Sequence, residues 1–448
     1  MEQSDRYIVA IVGAGPAGLF AARELASQGV QVVLFNRDIK PGGLAEYGIY
    51  PDKIKMKTGL RAQFRQILEM PHVEYYGNVL IGCKGDLSLE DLQRMGFQAI
   101  LVAVGAQGTK WLGLPGEHLR GVYHAKDVVY HYNKLPPFSQ QELEIGKRVA
   151  IIGVGNVMMD IARYLISVRK VDEVVAFARR GPAEIKFDRK ELESVVANLD
   201  LAAFDREIDR VAKEMRALGQ HPEVTKEFIH SAAARGVWMQ SHTLFWIRFL
   251  SSPRRILDDG KGRVGGLEIE DTHLVLEDGE VKARGLRQFH IFDVDTVIFA
   301  IGDRVDENLG LPVHNFAFDK NPHPRFPIEG ESFEAYDSEK NEPIEGVFVA
   351  GWSRKASSGL VGVARKDGVN GARAVIQYLA ELPPARADVL SKVQEALSSL
   401  PHPVVTREAL KLLEAAEQAK MQELGVEDFK FASNQEMLEL MGLLKAVS

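Results

Sequence analysis

An α/β fold made from two copies of one strand–turn–helix–strand unit is what this sequence predicts, and three observations lead to it. Residues 7–36 run from an apolar, β-branched stretch through a glycine-punctuated turn and an apolar helical stretch to a second apolar run. The same phrase returns at residues 147–180. Two further apolar runs, 99–106 and 296–303, each end in a small residue followed by glycine and bracket the second copy. They stand where a chain would leave one domain, build another and come back.

In the first copy the turn reads Gly13-Ala14-Gly15-Pro16-Ala17-Gly18. Gly13 permits the tight turn, Gly15 lets the backbone approach a pyrophosphate, and Gly18 lets the helix close on the strand. The amide groups at the helix N-terminus then face the phosphates. A G-x-G-x-x-G motif alone carries little weight; between a strand and a helix of the right length it marks a Rossmann-like dinucleotide-binding unit. The second copy keeps Gly153 and Gly155 but has Met158 in the third place, so its helix is expected to sit slightly further from its strand. Arg163 and Leu165 repeat Arg23 and Leu25.

The two copies differ at the end of the second strand. The ribose-binding acid expected there is absent from both. The first has Asn36, neutral but able to hydrogen-bond hydroxyls. The second has Arg179-Arg180-Gly181-Pro182, and two guanidinium groups at a ribose edge suit a 2′-phosphate, so this site is expected to prefer NADP over NAD.

The expected organisation is therefore 1–106 as the first part of one domain, 107–299 as an inserted second domain, and 300–384 as the return. Within the return, 345–379 reads as a strand, a polar loop beginning Gly351-Trp352, and a helix opening near Gly359. Residues 385–448 alternate short amphipathic helices with proline and glycine breaks and read as a helical C-terminal extension without site chemistry.

Composition narrows the function. With 448 residues, 46% hydrophobic and 26% charged, a sizeable core can form, and a net charge of −7 argues against a protein built to coat nucleic acid. The single cysteine, Cys83, rules out a CxxC dithiol, a cysteine-ligated iron–sulfur cluster, a cysteine zinc site and a disulfide framework within this chain. It reads as a small buried residue at a strand end. The longest uncharged stretch, Tyr7 to Ala22, is too short and too broken by glycines and a proline to span a bilayer. With no secretory n-region, a cytoplasmic location is expected.

Several segments together resemble the adrenodoxin-reductase type of ferredoxin–NADP reductase, within the two-dinucleotide-binding flavoproteins: GAGPAG (13–18), PGGLAEYGIYPDK (41–53), GNVLIG (77–82), LPGE (114–117), GVGNVMMDIAR (153–163), RRGP (179–182), GWSRKASSG (351–359) and KFASNQEML (430–438). The resemblance implies two Rossmann-like dinucleotide-binding domains, the NADP domain inserted in the FAD domain. It implies FAD along Gly13, Gly15, Ala17 and Gly18, with Asn36 at its ribose and Leu44 and Val79 against it. Trp352 and the Gly359-Leu360-Val361 backbone would meet the flavin ring, where a helix N-terminus would stabilise negative charge developing on reduction. NADPH would contact Gly153, Val154, Gly155, Asn156, Val157, Arg179, Arg180 and Glu191, with its nicotinamide near Gly359. Lys110 stands where the family often has an arginine touching the nucleotide. Four places depart from the pattern: Asn36 replaces a ribose-binding glutamate, Lys53 a histidine and Ser194 a glutamate (with Glu193 beside it), while ASSGLVGVARKDG replaces a Gly-Pro-Thr-Gly loop.

The implied mechanism is hydride transfer from NADPH to FAD, then release of electrons to a ferredoxin or flavodoxin-like carrier, with no nucleic acid or membrane partner. Lys53 and Glu191 read as electrostatic tuners. An acidic carrier needs a basic face, for which Lys53, Lys55, Lys57, Arg61 and Arg65, or Arg235, Arg248, Arg254 and Arg255, are candidates; each set also reads as a solvated helix face. The alternatives are an NADPH-binding flavoprotein sensor and the reductase component of a larger complex.

Overall fold

The computed structural model describes residues 7–236, 241–356, 361–385 and 388–445. The chain divides into two compact units: Met1–Thr109 with Tyr130–Gln140 and Asp303–Ser448, and Lys110–Val129 with Gln141–Gly302. The inserted unit was expected over 107–299; within that range, 130–140 belongs with the first unit. The reason is packing: Tyr130, Leu135 and Phe138 cluster with Leu44 and Tyr47, and the Ser139 hydroxyl donates to the Ala432 carbonyl.

The first unit is built on a seven-stranded sheet in the order Glu334–Asp337, Glu342–Val349, Ala99–Val102, Ile8–Val12, Gln31–Asn36, Val73–Gly77, Val405–Thr406. The inner strands run parallel and the two edge strands antiparallel to their neighbours. Ile8–Val12 is buried along its length, as a strand covered on both faces must be. Helix Pro16–Ser27 begins with proline at its first position, where a missing N–H is harmless. It packs against helix Val361–Leu379 so closely that a Cβ on Gly368 would overlap the Ala17 carbonyl oxygen.

The C-terminal segment is not an appendage. Thr406 and Ser433 cap helices Arg407–Leu424 and Asn434–Leu440, and Leu410, Leu413, Phe431, Met437, Leu438 and Met441 are buried in the core that also holds Leu19 and Phe20. With Val405–Thr406 completing the sheet, the segment is part of the first unit's fold.

The second unit has a five-stranded parallel sheet in the order Val122–His124, Thr296–Phe299, Arg148–Ile152, Glu173–Phe177, Leu244–Arg248. An antiparallel three-stranded sheet, Ser251–Asp258, Val264–Glu277 and Glu280–Phe292, contributes Ile256, Leu267 and Ile269 to the same core. Among the described residues, no helix is long and apolar enough to cross a membrane, and no group of histidine, cysteine and carboxylate side chains could hold a metal ion.

Candidate functional site

The glycines of the first turn divide into two kinds. Gly13 has φ +105°, and a Cβ there would lie 2.6 Å from the Ala103 carbonyl oxygen. A Cβ on Gly18 would overlap the Gly13 oxygen. The polypeptide's own packing therefore demands these two. At Gly15 a Cβ would meet nothing within 4 Å. No contact within the protein requires glycine there, and the space beside it is open.

The second turn repeats the division. Gly153 has φ +116° and a Cβ on it would overlap the Ala300 oxygen, whereas one on Gly155 would meet nothing within 4 Å. Met158, in place of the third glycine, is fully buried, so this turn accommodates a side chain where the first cannot. Helices Pro16–Ser27 and Asn156–Tyr164 both begin at the second glycine of their turns, with no side-chain cap and no acid in the first turn. Their N-terminal amides and positive dipole ends are left for an anion. Val157, 45% exposed on the first turn of the second helix, is an apolar surface beside that end.

The strand ends then diverge. Asn36 is buried; its Oδ1 accepts from the Ala14 N–H at 3.0 Å, and its Nδ2 donates to the carbonyls of Asp38 at 2.8 Å and Lys40 at 3.0 Å. Both amide hydrogens are engaged by the chain. These bonds brace the glycine turn against the 38–40 loop, while the amide oxygen keeps a second lone pair with which it can accept a ribose hydroxyl. Arg179 and Arg180 present the opposite case. Their carbonyls are pinned by the Thr272 hydroxyl at 2.7 Å and the Leu250 N–H at 3.2 Å. Their guanidinium groups have no ion-pair partner among the described residues, whereas Arg210, Arg216, Arg248 and Arg255 in the same unit are all paired.

Other expected residues fall near these turns in differing roles. Gly42 donates its N–H to the Ala14 carbonyl at 2.7 Å, and a Cβ on Gly43 would lie 3.1 Å from the Gly15 Cα, so Leu44 begins one residue beyond the first turn. The Ala17 side chain is taken up by packing, with a Cβ on Gly351 falling 2.7 Å from it. Val79 lies in the core, its N–H donated to the Asn36 carbonyl at 2.9 Å. Asn156 exchanges two hydrogen bonds with Asp188, at 2.7 and 2.8 Å, and so fixes the second turn rather than projecting from it. Val154 accepts the Lys186 N–H at 3.1 Å. Glu191 is half-buried on helix Arg189–Glu193, and its carbonyl accepts the Ser194 hydroxyl at 2.6 Å. Lys53 is half-buried at the start of helix Ile54–Leu68, and Lys110 is half-buried. Trp352 lies half-buried in the short turn Gly351–Ser353, and Val361 opens its helix half-buried. Gly359 and Leu360 lie outside the described residues.

A family model described as pyridine nucleotide-disulphide oxidoreductase matches residues 7–321. The chain belongs to that family. It is 28% identical to the NADPH-ferredoxin reductase FprA of Mycobacterium tuberculosis, over 97% of this chain and 99% of that protein. It is also 28% identical to the mitochondrial NADPH:adrenodoxin oxidoreductase of Arabidopsis thaliana, over 79% and 78%. The solved structure of Mycobacterium tuberculosis FprA in complex with NADPH superposes with a TM-score of 0.79 at 26% identity, covering 98% of this chain and 99% of that one. As a member of this family the chain is an oxidoreductase that uses FAD and NADP(H).

The disulphide in the family's name has no counterpart here, because a dithiol needs two cysteines and this chain has one. Cys83 is exposed, not the buried packing residue expected. Its backbone N–H donates to the Asn308 carbonyl at 2.6 Å, and this loop-to-loop bond leaves the side chain at the surface.

The expected basic faces are also revised. Lys57 is buried and paired with Asp428 at 2.7 Å; Arg61 bridges Glu46 at 2.6 Å and Asp428 at 2.7 Å; Arg65 pairs with Glu414 at 2.9 Å. These three cations are closed by acids, chiefly from the C-terminal segment. Arg248, Arg254 and Arg255 lie on strands, not a helix face, and pair with Asp271, Glu270 and Glu268. The tail that read as chemically silent thus supplies a buried ionic cluster beside the 42–50 loop. There burial pushes the Lys430 ammonium down to about 7, and it donates to the Glu46 carbonyl at 2.9 Å. Burial opposes ionisation of Glu46, but Lys40, Arg61 and Lys430 outweigh it and hold the carboxyl well below the usual range.

Sequence reasoning also missed Asp367, whose carboxylate accepts the Gly351 N–H at 2.6 Å and pairs with buried Arg354. It fixes the loop that carries Trp352, and nothing in the local pattern announces it. Asp188 did carry a signal, since an acid three residues before Glu191 is the spacing of a helix start.

Proposed function

We propose that this chain takes hydride from NADPH held at the second turn and delivers electrons, through FAD held at the first, to a ferredoxin-type carrier. The observation behind the assignment of sites is that two turns of one design end differently. The first ends in Asn36, whose amide hydrogens are taken by the 38–40 loop, and the second in two guanidinium groups with no ion-pair partner among the described residues. An unpaired arginine pair beside an open glycine is what a 2′-phosphate requires, so NADPH belongs to the second turn. When bound, FAD supplies the conversion between two-electron hydride chemistry and single-electron release.

The chain's own residues bind and orient. The open spaces at Gly15 and Gly155 and the uncapped helix ends receive the two pyrophosphates. Asn36, Gly42 and Gly43 hold the first turn in shape, and Asn156 with Asp188 holds the second. Asp367 and Arg354 set the Gly351–Ser353 turn, from which Trp352 would cover the flavin. Lys53 and Glu191 act through charge. Flavodoxin-type carriers are the second class to assay, and the single cysteine fits a reducing, cytoplasmic setting.

The test is direct. The purified protein is expected to be yellow, and anaerobic NADPH to bleach its flavin band within seconds. R179A/R180A is expected to raise the KM for NADPH by about 100-fold or more, two charge-assisted contacts being lost, and to leave the KM for NADH and the flavin content nearly unchanged. A variant with equal losses for both nucleotides would remove the 2′-phosphate assignment. A colourless protein would remove the function.

A further inference from the structure

The chain comes back to each glycine turn from further along, and does so with different residues. At the first, Gly42 donates its N–H to the Ala14 carbonyl, and a Cβ on Gly43 would lie 3.1 Å from the Gly15 Cα, so the returning loop meets that turn with glycine. At the second, Lys186 donates its backbone N–H to the Val154 carbonyl at 3.1 Å and pairs with Gly155 in an isolated parallel β-bridge. Partners in such a bridge send their side chains to the same face. The Lys186 stem therefore leaves on the side where a Cβ on Gly155 would meet nothing within 4 Å. The two backbones of such a pair stand about 4.8 Å apart, a gap that a lysine's four-carbon stem spans.

The charge at the end of that stem is uncommitted. Lys186 is exposed and has no ion-pair partner among the described residues. The acids two residues to either side are engaged elsewhere: Glu184 accepts from the Gln220 amide, and Asp188 from the Asn156 amide at 2.8 Å. Helix Asn156–Tyr164 starts one residue past Gly155 with no side-chain cap and no acid in its first turn, so its amides are also left for an anion. A free ammonium, an open glycine and an uncapped helix end thus come together at one place.

We propose that Lys186 is a further NADPH-binding residue, its ammonium contacting the pyrophosphate laid over Gly155. Arg179 and Arg180 then serve the 2′-phosphate, and Lys186 serves the part that NADPH and NADH share. The inference rests on the second turn being the nucleotide site of the proposed function.

The test is calorimetric titration of the full-length flavoprotein with NADP+ and with NAD+. K186M keeps most of the stem and removes the charge; K186R keeps the charge. At low salt K186M is expected to weaken both nucleotides about fivefold, a charge-assisted contact reduced by solvent screening, and K186R to stay within twofold of wild type. At about 1 M salt, where screening acts within about 3 Å, the gap between K186M and wild type should close. R179A/R180A, in contrast, is expected to lose affinity for NADP+ alone. Because Lys186 is exposed, the Tm of each Lys186 variant should match wild type; K186Q is judged by the same limits should K186M not fold. K186M within twofold of wild type for NADP+ overturns the proposal. A loss for NADP+ with NAD+ unaffected overturns it too, by moving the ammonium to the 2′-phosphate. Equal losses in K186M and K186R overturn it by making the role one of packing. In each of these cases R179A/R180A behaving as expected leaves the functional reading standing, whereas a wild type that binds neither nucleotide sinks that reading and this inference with it.

Discussion

The two glycine turns are built to one plan and finished by different means. In the first, a protein amide closes the strand end, the third glycine is squeezed against the turn, and a C-terminal segment wraps the neighbouring loop with buried charge. In the second, Met158 fills the place of the third glycine, and the strand end carries two guanidinium groups with no ion-pair partner among the described residues. What the pair teaches is how to separate glycines kept for the fold from those kept for a ligand. A Cβ at Gly13, Gly18 or Gly153 collides with the protein's own backbone; at Gly15 and Gly155 it collides with nothing, so no packing within the chain requires glycine there.

The largest effect should come from the tail that only the first unit has. D428A leaves Lys57 buried without its partner, and unfolding of the first unit is expected to lose about 3–5 kcal/mol. E414A breaks the exposed pair with Arg65 and should lose under about 1 kcal/mol. Chemical denaturation of the two variants side by side checks this, and equal losses would mean that the tail's charges act only at the surface.

Substitutions within the turns come next. M158A should destabilise through a cavity, by about 2–5 kcal/mol, and G18A through overlap, by about 1–3 kcal/mol. G15A should leave apoprotein stability within about 0.5 kcal/mol while weakening FAD retention. Tm and flavin content measured on the same samples sort the three. A G15A apoprotein as unstable as G18A would erase the distinction between the two kinds of glycine.

A separate effect concerns pH. Lys430 is held near 7 in the fold against an ordinary value of about 10.4 when unfolded. Between about pH 7 and 10 the unfolded chain binds a proton that the folded chain does not, so this group makes stability rise with pH across that window. The stability of wild type relative to K430M, from denaturant unfolding at pH 7 and pH 10, should therefore increase with pH. A difference that stays flat would show that the ammonium remains charged.

Much of the fold around the two turns was legible because its signals are local. Gly13, Gly15 and Gly18 span a single turn, and Arg179 and Arg180 stand at a fixed offset from theirs. The failures share a different origin. Arg61 meets Asp428 across 367 residues, and Lys430 meets the Glu46 carbonyl across 384. No spacing rule reaches so far, so a basic helix face and a silent tail were read where the fold makes one ionic cluster. The internal bonds of Asn36 were hidden for a related reason. Its place in the chain marks a ribose edge, but whether an amide is free depends on carbonyls that only the folded loop brings to it.

The sequence by itself determined the two dinucleotide units and the inserted order of the chain. Each of these follows from backbone sterics and charge within a few consecutive residues. Only the tertiary structure decided which polar groups remain open to a ligand, because an open group is defined by every neighbour that could have paired with it and did not.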